Sequence, residues 1–302
     1  MRAWVPYADV LPRLPEGLSV DVYDAVGPVP ESIDEVEFYV TPYTFARDPL
    51  ALLNDMPRLD VVQTLTAGYE HVLPHLPAGV RLCNARGVHD ASTGELAVAL
   101  MLAALRGIPD FVRGQDRAQW RHARHDSLAD RTVLIVGYGG IGEAIERRLS
   151  GFEVSILRVA RTARDGVAPI EELPRLLPRA DVVVLCVPLT DQTRQLADAG
   201  FLALMRDGAL LVNVSRGAVV DTRALLTQLR AGRLRAALDV TDPEPPPSDH
   251  PLWSAPGLLL SPHVGGNSTA FLPRAKALIV DQLTRYATGE PLRNEIAARA
   301  TG

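Results

Sequence analysis

Gly137, Gly139 and Gly142 stand in G-x-G-x-x-G spacing inside VLIVGYGGIGEAIERRL, between an apolar run and an amphipathic one. In a strand-turn-helix the first glycine permits the tight turn, the second lets backbone approach a pyrophosphate, and the third lets helix and strand pack closely. The helix N-terminus then offers free N–H groups to the anion. Tyr138, Gly140 and Ile141 complete the same cradle. In the NAD-binding form of the motif a carboxylate follows roughly 20 residues on and accepts bonds from the ribose hydroxyls. Here the second strand runs into SILRVARTARD, and its end, Val159-Ala160-Arg161-Thr162, carries no acid. A 2'-phosphate is repelled by a carboxylate and paired bidentately by a guanidinium. Arg161 is the best placed partner, with Thr162 as a hydroxyl donor and Arg164 or Arg158 in support. NADP(H) is therefore the expected dinucleotide, with NAD(H) as the alternative.

Three more chemistry-bearing segments follow. NVSRGAVVD places Arg216 before Gly217, ALDVTDPEPP offers Asp239, Asp242 and Glu244, and LLLSPHVGG ends on His263. Each falls where a strand-like run meets a loop, the position of the ligand crevice in open α/β sheets.

The elements that must position these residues can be read from periodicity. Beyond Arg131, apolar runs (TVLIVG, EVSILRV, DVVVLCVP, ALLVNVS, RAALDV, LLLSPH) alternate with helical patterns over residues 142–149, 197–205 and 223–229. Continuous apolar strands are buried on both faces, which predicts a parallel, doubly wound sheet. The first 90 residues read as a smaller α/β domain with short strands and a helix over residues 48–56. Between the two lies TGELAVALMLAALR, apolar almost all round, a helix that must be buried between other elements. A last amphipathic helix spans residues 270–287.

The 302-residue length suits two domains. The net charge of −5 arises from 36 acidic and 31 basic residues mixed along the chain, without the basic block that tracks a phosphate backbone. Nucleic acid is not an expected partner. Cys83 and Cys186 read as reduced core thiols, not a disulfide framework or metal site, which predicts a cytoplasmic protein. No apolar run reaches membrane-span length and the N-terminus lacks signal-peptide order.

Taken together, NARGVHDASTGELAVALMLAALR, VGYGGIG, CVPLTDQT, NVSRGAVVD, ALDVTDPEPPPSDHPL, SPHVGG and TAGYEHV resemble the D-isomer-specific 2-hydroxyacid dehydrogenase family, most closely its glyoxylate/hydroxypyruvate reductases. The resemblance covers about residues 64–268. It implies a two-domain α/β fold, a Rossmann-type doubly wound parallel sheet (residues 94–268) inserted into a smaller flavodoxin-like substrate domain. Residues 1–93 form the first part of that domain, and residues 269–302 return to it as a C-terminal helix. It further implies Arg216 as the ligand of a substrate carboxylate, His263 as acid–base catalyst and Glu244 as the group holding His263 in one tautomer. Backbone N–H groups of Ala67 and Gly68 would complete the carboxylate cradle. Pro188, Thr193 and Ser215 would border the cofactor, and Asp239 would orient the nicotinamide carboxamide. Tyr43, Tyr69 and His89 are candidates for the side-chain pocket. The implied partner is a small 2-oxo or 2-hydroxy acid, and the implied assembly a homodimer that buries the apolar helix around Leu96 to Leu105. Within the same family the triad also suits phosphite oxidation. A dinucleotide-sensing binding protein is the reading from another class.

Overall fold

The computed structural model describes residues 1–44 and 48–296. The chain runs through strands β1 (Arg2–Val5), β2 (Ser19–Val22), β3 (Phe38–Val40), β4 (Val61–Gln63) and β5 (Arg81–Cys83), then helices α1 (Asp90–Arg106) and α2 (Ile108–Asp116). Next come β6 (Thr132–Val136), α3 (Gly140–Leu149), β7 (Ser155–Ala160), β8 (Ala168–Pro169) and α4 (Leu173–Leu176). They are followed by β9 (Val182–Leu185), α5 (Ala199–Leu204), β10 (Leu210–Asn213), α6 (Thr222–Arg230), β11 (Arg235–Leu238) and β12 (Leu258–Leu260). Helix α7 (Phe271–Thr288) and strand β13 (Glu295–Ile296) close the described chain. Two compact units result, one of residues 1–89 with 269–302 and one of residues 90–268. The first division falls after His89 and not after Thr93, because α1 already begins at Asp90 and belongs wholly to the second unit.

The first unit holds a six-stranded sheet in the order β13-β5-β4-β3-β1-β2. Its five longer strands pair in parallel in the flavodoxin order, and β13 adds an antiparallel edge beside β5. The helix expected over residues 48–56 does not form; the segment holds one 3-10 turn, Leu53–Asp55. Asp48 Oδ1 accepts from Leu50 N at 2.9 Å, a local turn that competes with helix. Leu50, Leu53 and Met56 are all buried, and their spacing of three is the repeat of a 3-10 turn.

The second unit is a seven-stranded parallel sheet in the order β12-β11-β10-β9-β6-β7-β8. Its strands alternate strictly in what they bury. Leu134 and Val136 of β6, Val183 and Leu185 of β9, and Leu211 of β10 enter one core with residues of α4, α5 and α6. Val133, Ile135, Val182, Val184, Leu210 and Val212 enter the other with residues of α1 and α3. Period-2 side-chain direction thus turns continuous apolar strands into a sheet covered on both faces. Helix α1 lies against α3, β10 and β11. Its all-round apolar character is used inside its own unit, where Ala97, Val98, Leu100, Met101 and Leu105 are buried. Gly94 allows the close crossing: a Cβ there would stand 3.1 Å from Ala144 Cβ of α3.

Candidate functional site

Strand order reverses between β6 and β9, and loops after six strands of the second unit gather candidate residues at the carboxyl edge. The turn after β6 is held by Gly137 N and Tyr138 N, which donate to Val159 O at 2.9 and 3.1 Å. Gly137 has φ +102°, and a Cβ there would lie 2.6 Å from the carbonyl carbon and oxygen of Cys186. No side chain caps α3 at Gly139, and space in front of Gly139 is open. The first-turn N–H groups, without intrahelical acceptors, are thus disposed to receive an anion. These features fit a dinucleotide pyrophosphate. Asp90, the first residue of α1, lies against Gly140, where a Cβ would run into its carboxylate.

At the end of β7, Arg161, Thr162 and Arg164 are exposed. Arg161 and Thr162 have no hydrogen-bond or ion-pair partner among the described residues. Arg164 donates to Tyr138 O and its guanidinium stands 5.5 Å over the Tyr138 ring. Arg158 is different. Its Nε donates to Glu146 Oε2 at 2.6 Å, and Tyr138 Oη donates to the same oxygen at 2.5 Å. The Arg158 guanidinium, more than the tyrosine, holds the Glu146 carboxyl below the usual carboxylate range. Of the two arginines expected in support of a phosphate, Arg158 braces β7 against α3. Sequence reasoning missed Glu146, although an acid on the face of α3 toward β7 predicts such a pairing.

Loops after β9, β10, β11 and β12 supply the other candidates. Thr193 Oγ1 donates to Pro188 O at 2.6 Å and accepts from Thr190 N at 2.8 Å, so its hydroxyl shapes the loop that bears Pro188. Ser215 N and Oγ both donate to Asn213 Oδ1, at 3.0 and 2.7 Å. Arg216 Nη1 donates to Ser215 O at 2.7 Å. Gly217 packs directly on the backbone of Thr241 and Asp242, where a Cβ would collide, so the Arg216 loop touches the segment leading to Glu244. His263 Nδ1 bonds Glu244 Oε1. An ionised carboxylate can only accept, so Nδ1 carries the proton and Nε2 is the nitrogen left to exchange one. Both side chains stay accessible, at 46% and 39%. The Asp239 carboxylate, expected to orient a carboxamide, accepts from Ser261 Oγ, Val264 N and Gly265 N at 2.6, 2.9 and 2.8 Å. Asn213, a polar residue ending an apolar strand, was not singled out from sequence; that placement was its signal.

In the first unit, Ala67 O accepts from Asn84 Nδ2 and Gly68 O accepts from Thr66 Oγ1, both at 2.7 Å. The N–H groups of Ala67 and Gly68 have no acceptor among the described residues. Tyr43, His89 and Phe271 form an aromatic cluster, with His89 stacked on Phe271 at 5.2 Å. Tyr69 packs beside a separate core cluster with Trp4 and Tyr39. Cys83 and Cys186 are free thiols, pushed up to about 11 and about 12 by burial. A cavity of about 510 Å³, lined by Leu105, Gly107, Arg113, His125, Asp126 and Arg235, opens at the amino ends of β11 and β12. It lies on the wrong edge of the sheet for the chemistry above. Among the described residues no group of three or more His, Cys, Asp or Glu is gathered as a metal requires, and no helix is long and apolar enough to cross a membrane.

A glycine-lined helix N-terminus at the switch point of a doubly wound sheet defines a dinucleotide-binding α/β protein, and the His263–Glu244 pair on the same edge gives it an acid–base group. Residues 98–265 match the model of the D-isomer specific 2-hydroxyacid dehydrogenase NAD-binding domain, and the chain belongs to that family. A glyoxylate reductase of Pyrococcus furiosus is 31% identical over 299 residues, covering 92% of this chain and 88% of the relative. A D-3-phosphoglycerate dehydrogenase of Methanocaldococcus jannaschii is 32% identical over 229 residues; the match covers 72% of this chain and 43% of that longer protein. Among solved structures, an NADPH-dependent glyoxylate/hydroxypyruvate reductase from Sinorhizobium meliloti, in complex with NADP and malonate, matches with TM-score 0.78 and 28% identity. That match covers 98% of this chain and 96% of the other.

Proposed function

We propose that the protein reduces a small 2-oxo acid of glyoxylate or hydroxypyruvate size to the D-2-hydroxy acid, with NADPH as the preferred donor. The observation that carries this reading is the His263–Glu244 pair, set on the same strand edge as the glycine cradle. When bound, the dinucleotide supplies the hydride that is added to C2 of the substrate. His263 delivers a proton from Nε2 to the carbonyl oxygen, and in the reverse direction takes it from the hydroxyl. Glu244 holds Nδ1–H and stabilises the imidazolium. Arg216 pairs the substrate carboxylate through its planar fork and polarises the 2-oxo group. Arg161, with Thr162 and Arg164, takes the 2'-phosphate; the acid-free end of β7 and the NADP in the Sinorhizobium structure support that assignment. The substrate size follows the names of the glyoxylate reductases that align along most of the chain.

A homodimer belongs to the same proposal. Helix α1 leaves Leu96, Ala99 and Leu102 at least partly exposed, and the α2 that follows it exposes Ile108, Phe111 and Val112 on one face. Light scattering on the purified protein reads the mass directly.

The deciding experiment is the initial rate of oxidation of NADPH and NADH, side by side, against glyoxylate, hydroxypyruvate and a bulkier 2-oxo acid. Turnover of the two small acids with a clear NADPH preference is expected. Equal or better rates with NADH would make Arg161 and Arg164 ordinary surface residues. Silence with every acid would remove the activity and favour dinucleotide sensing.

A further inference from the structure

The chemistry assigned to Arg216 and His263 needs both side chains in fixed places, yet each rides on a loop beyond a strand end. Beneath each loop lies a buried polar residue. Asn213, the last residue of β10, is fully buried. Its Oδ1 accepts both bonds from Ser215, and its Nδ2 donates to Arg216 O at 3.0 Å. Asp239, just past β11, is 2% exposed. Its carboxylate takes the three donors of Ser261, Val264 and Gly265, and its own carbonyl accepts from His263 N at 2.8 Å. The two are joined, because Asp239 N donates to Asn213 O at 2.9 Å.

The geometry also explains two oddities of the loop. His263 has φ +52°, a left-handed backbone that a residue with a Cβ keeps only when its surroundings over-determine it. Bonds from His263 N, Val264 N and Gly265 N to one residue supply that constraint. Gly265 is bare where a Cβ would stand 2.9 Å from Asp239 Oδ2, so glycine lets the carboxylate reach the amide.

We propose that Asn213 and Asp239 are a linked pair of positioning residues, Asn213 setting Arg216 and Asp239 setting His263 at one spacing on the strand edge. This rests on the function proposed above. It gives Asp239 a duty beside the expected one of orienting a nicotinamide carboxamide: the His263 loop supplies three donors to a carboxylate with about four acceptor sites, and Oδ2 keeps one for a further donor.

Two measurements test it. Hydrogen exchange of the segment 261–266 is followed by mass spectrometry in Asp239→Asn, whose amide cannot accept from every donor that the carboxylate holds. Faster exchange there, with the β6 segment 132–136 unchanged, is expected; unchanged exchange in 261–266 overturns the proposal. Steady-state kinetics then separates the two anchors. Ser261→Ala, which removes one Asp239 bond and leaves the carboxylate itself in place, lowers kcat about tenfold at unchanged NADPH affinity, and Ser261→Thr restores it. Asn213→Ala raises the KM of the 2-oxo acid about tenfold through a displaced Arg216. If Ser261→Ala turns over like the parent, or if Asp239→Asn loses NADPH affinity alone at full kcat, Asp239 is not positioning His263. A parent enzyme inert toward all 2-oxo acids overturns the function proposed above instead, and the anchoring is then decided by the exchange experiment alone.

Discussion

Single side chains carry the proposed chemistry, and each has a separable signature. His263 bonds Glu244 through Nδ1, so replacing it by Gln removes proton delivery while leaving the carboxylate partner in place. A fall in kcat of about 10²- to 10⁴-fold is expected for His263→Gln, with NADPH binding intact by fluorescence titration. Turnover within a few-fold of the parent would move the acid elsewhere. Arg161 and Arg164 sit on the exposed loop after β7, and their loss should be felt by one dinucleotide alone. The double replacement Arg161→Ala with Arg164→Ala should raise the KM for NADPH about tenfold or more, from charge-assisted bonds of roughly 1.5–3 kcal/mol each, and leave the KM for NADH unchanged. Equal effects on both cofactors would mean that the pair braces the loop, as Arg164 already does at Tyr138 O.

At the scale of elements, the β6–α3 turn makes two demands on one glycine. Gly137 combines φ +102° with a Cβ direction that leads into the Cys186 carbonyl. Gly137→Ala therefore costs about 1–3 kcal/mol from backbone conformation alone, and more from the contact with β9's end. A lowered Tm together with weakened binding of either dinucleotide is the expected result, and a variant with the parent's Tm would show that the turn relaxes freely. Helix α1 teaches a different lesson. Its all-round apolar pattern correctly announced burial, but a pattern cannot say whose atoms provide it; α3, β10 and β11 do. Residues 48–56 failed as a helix for a related reason, since spacing of three suits a 3-10 turn as well as a helix and Asp48 tips the backbone toward the turn.

For the molecule as a whole, acid stability follows from ion pairs in each unit. Asp60 is held below the ordinary carboxylate range by Arg81, with Tyr286 adding a hydrogen bond, and Glu146 is held down by Arg158, with Tyr138 adding another. A depressed folded value means that the unfolded chain binds the proton more readily. The stabilisation is complete above the ordinary carboxylate values of 3.8 and 4.5 and is lost as pH falls through the lower folded ones. Tm should fall steeply on acidification below about pH 4. Arg158→Met should lie below the parent at pH 7 and converge on it in acid; parallel curves would sink the assignment to Glu146.

Residue types at fixed offsets determined much of this protein from sequence alone. The glycine spacing marked a strand, a turn and a helix, because only glycine meets that turn's backbone and contact demands. The continuous apolar runs announced a parallel sheet covered on both faces, because period-2 strands buried on one face alone would alternate. Arg216, Glu244 and His263 were legible as residues at strand ends, and the missing acid after β7 was legible as an absence. The tertiary structure decided the rest. Arg158 belongs to Glu146 and Asp239 to the loop of His263, because pairings between residues on different elements depend on which elements lie side by side. No spacing along one strand encodes its neighbour; the sheet order β11-β10-β9-β6-β7 does.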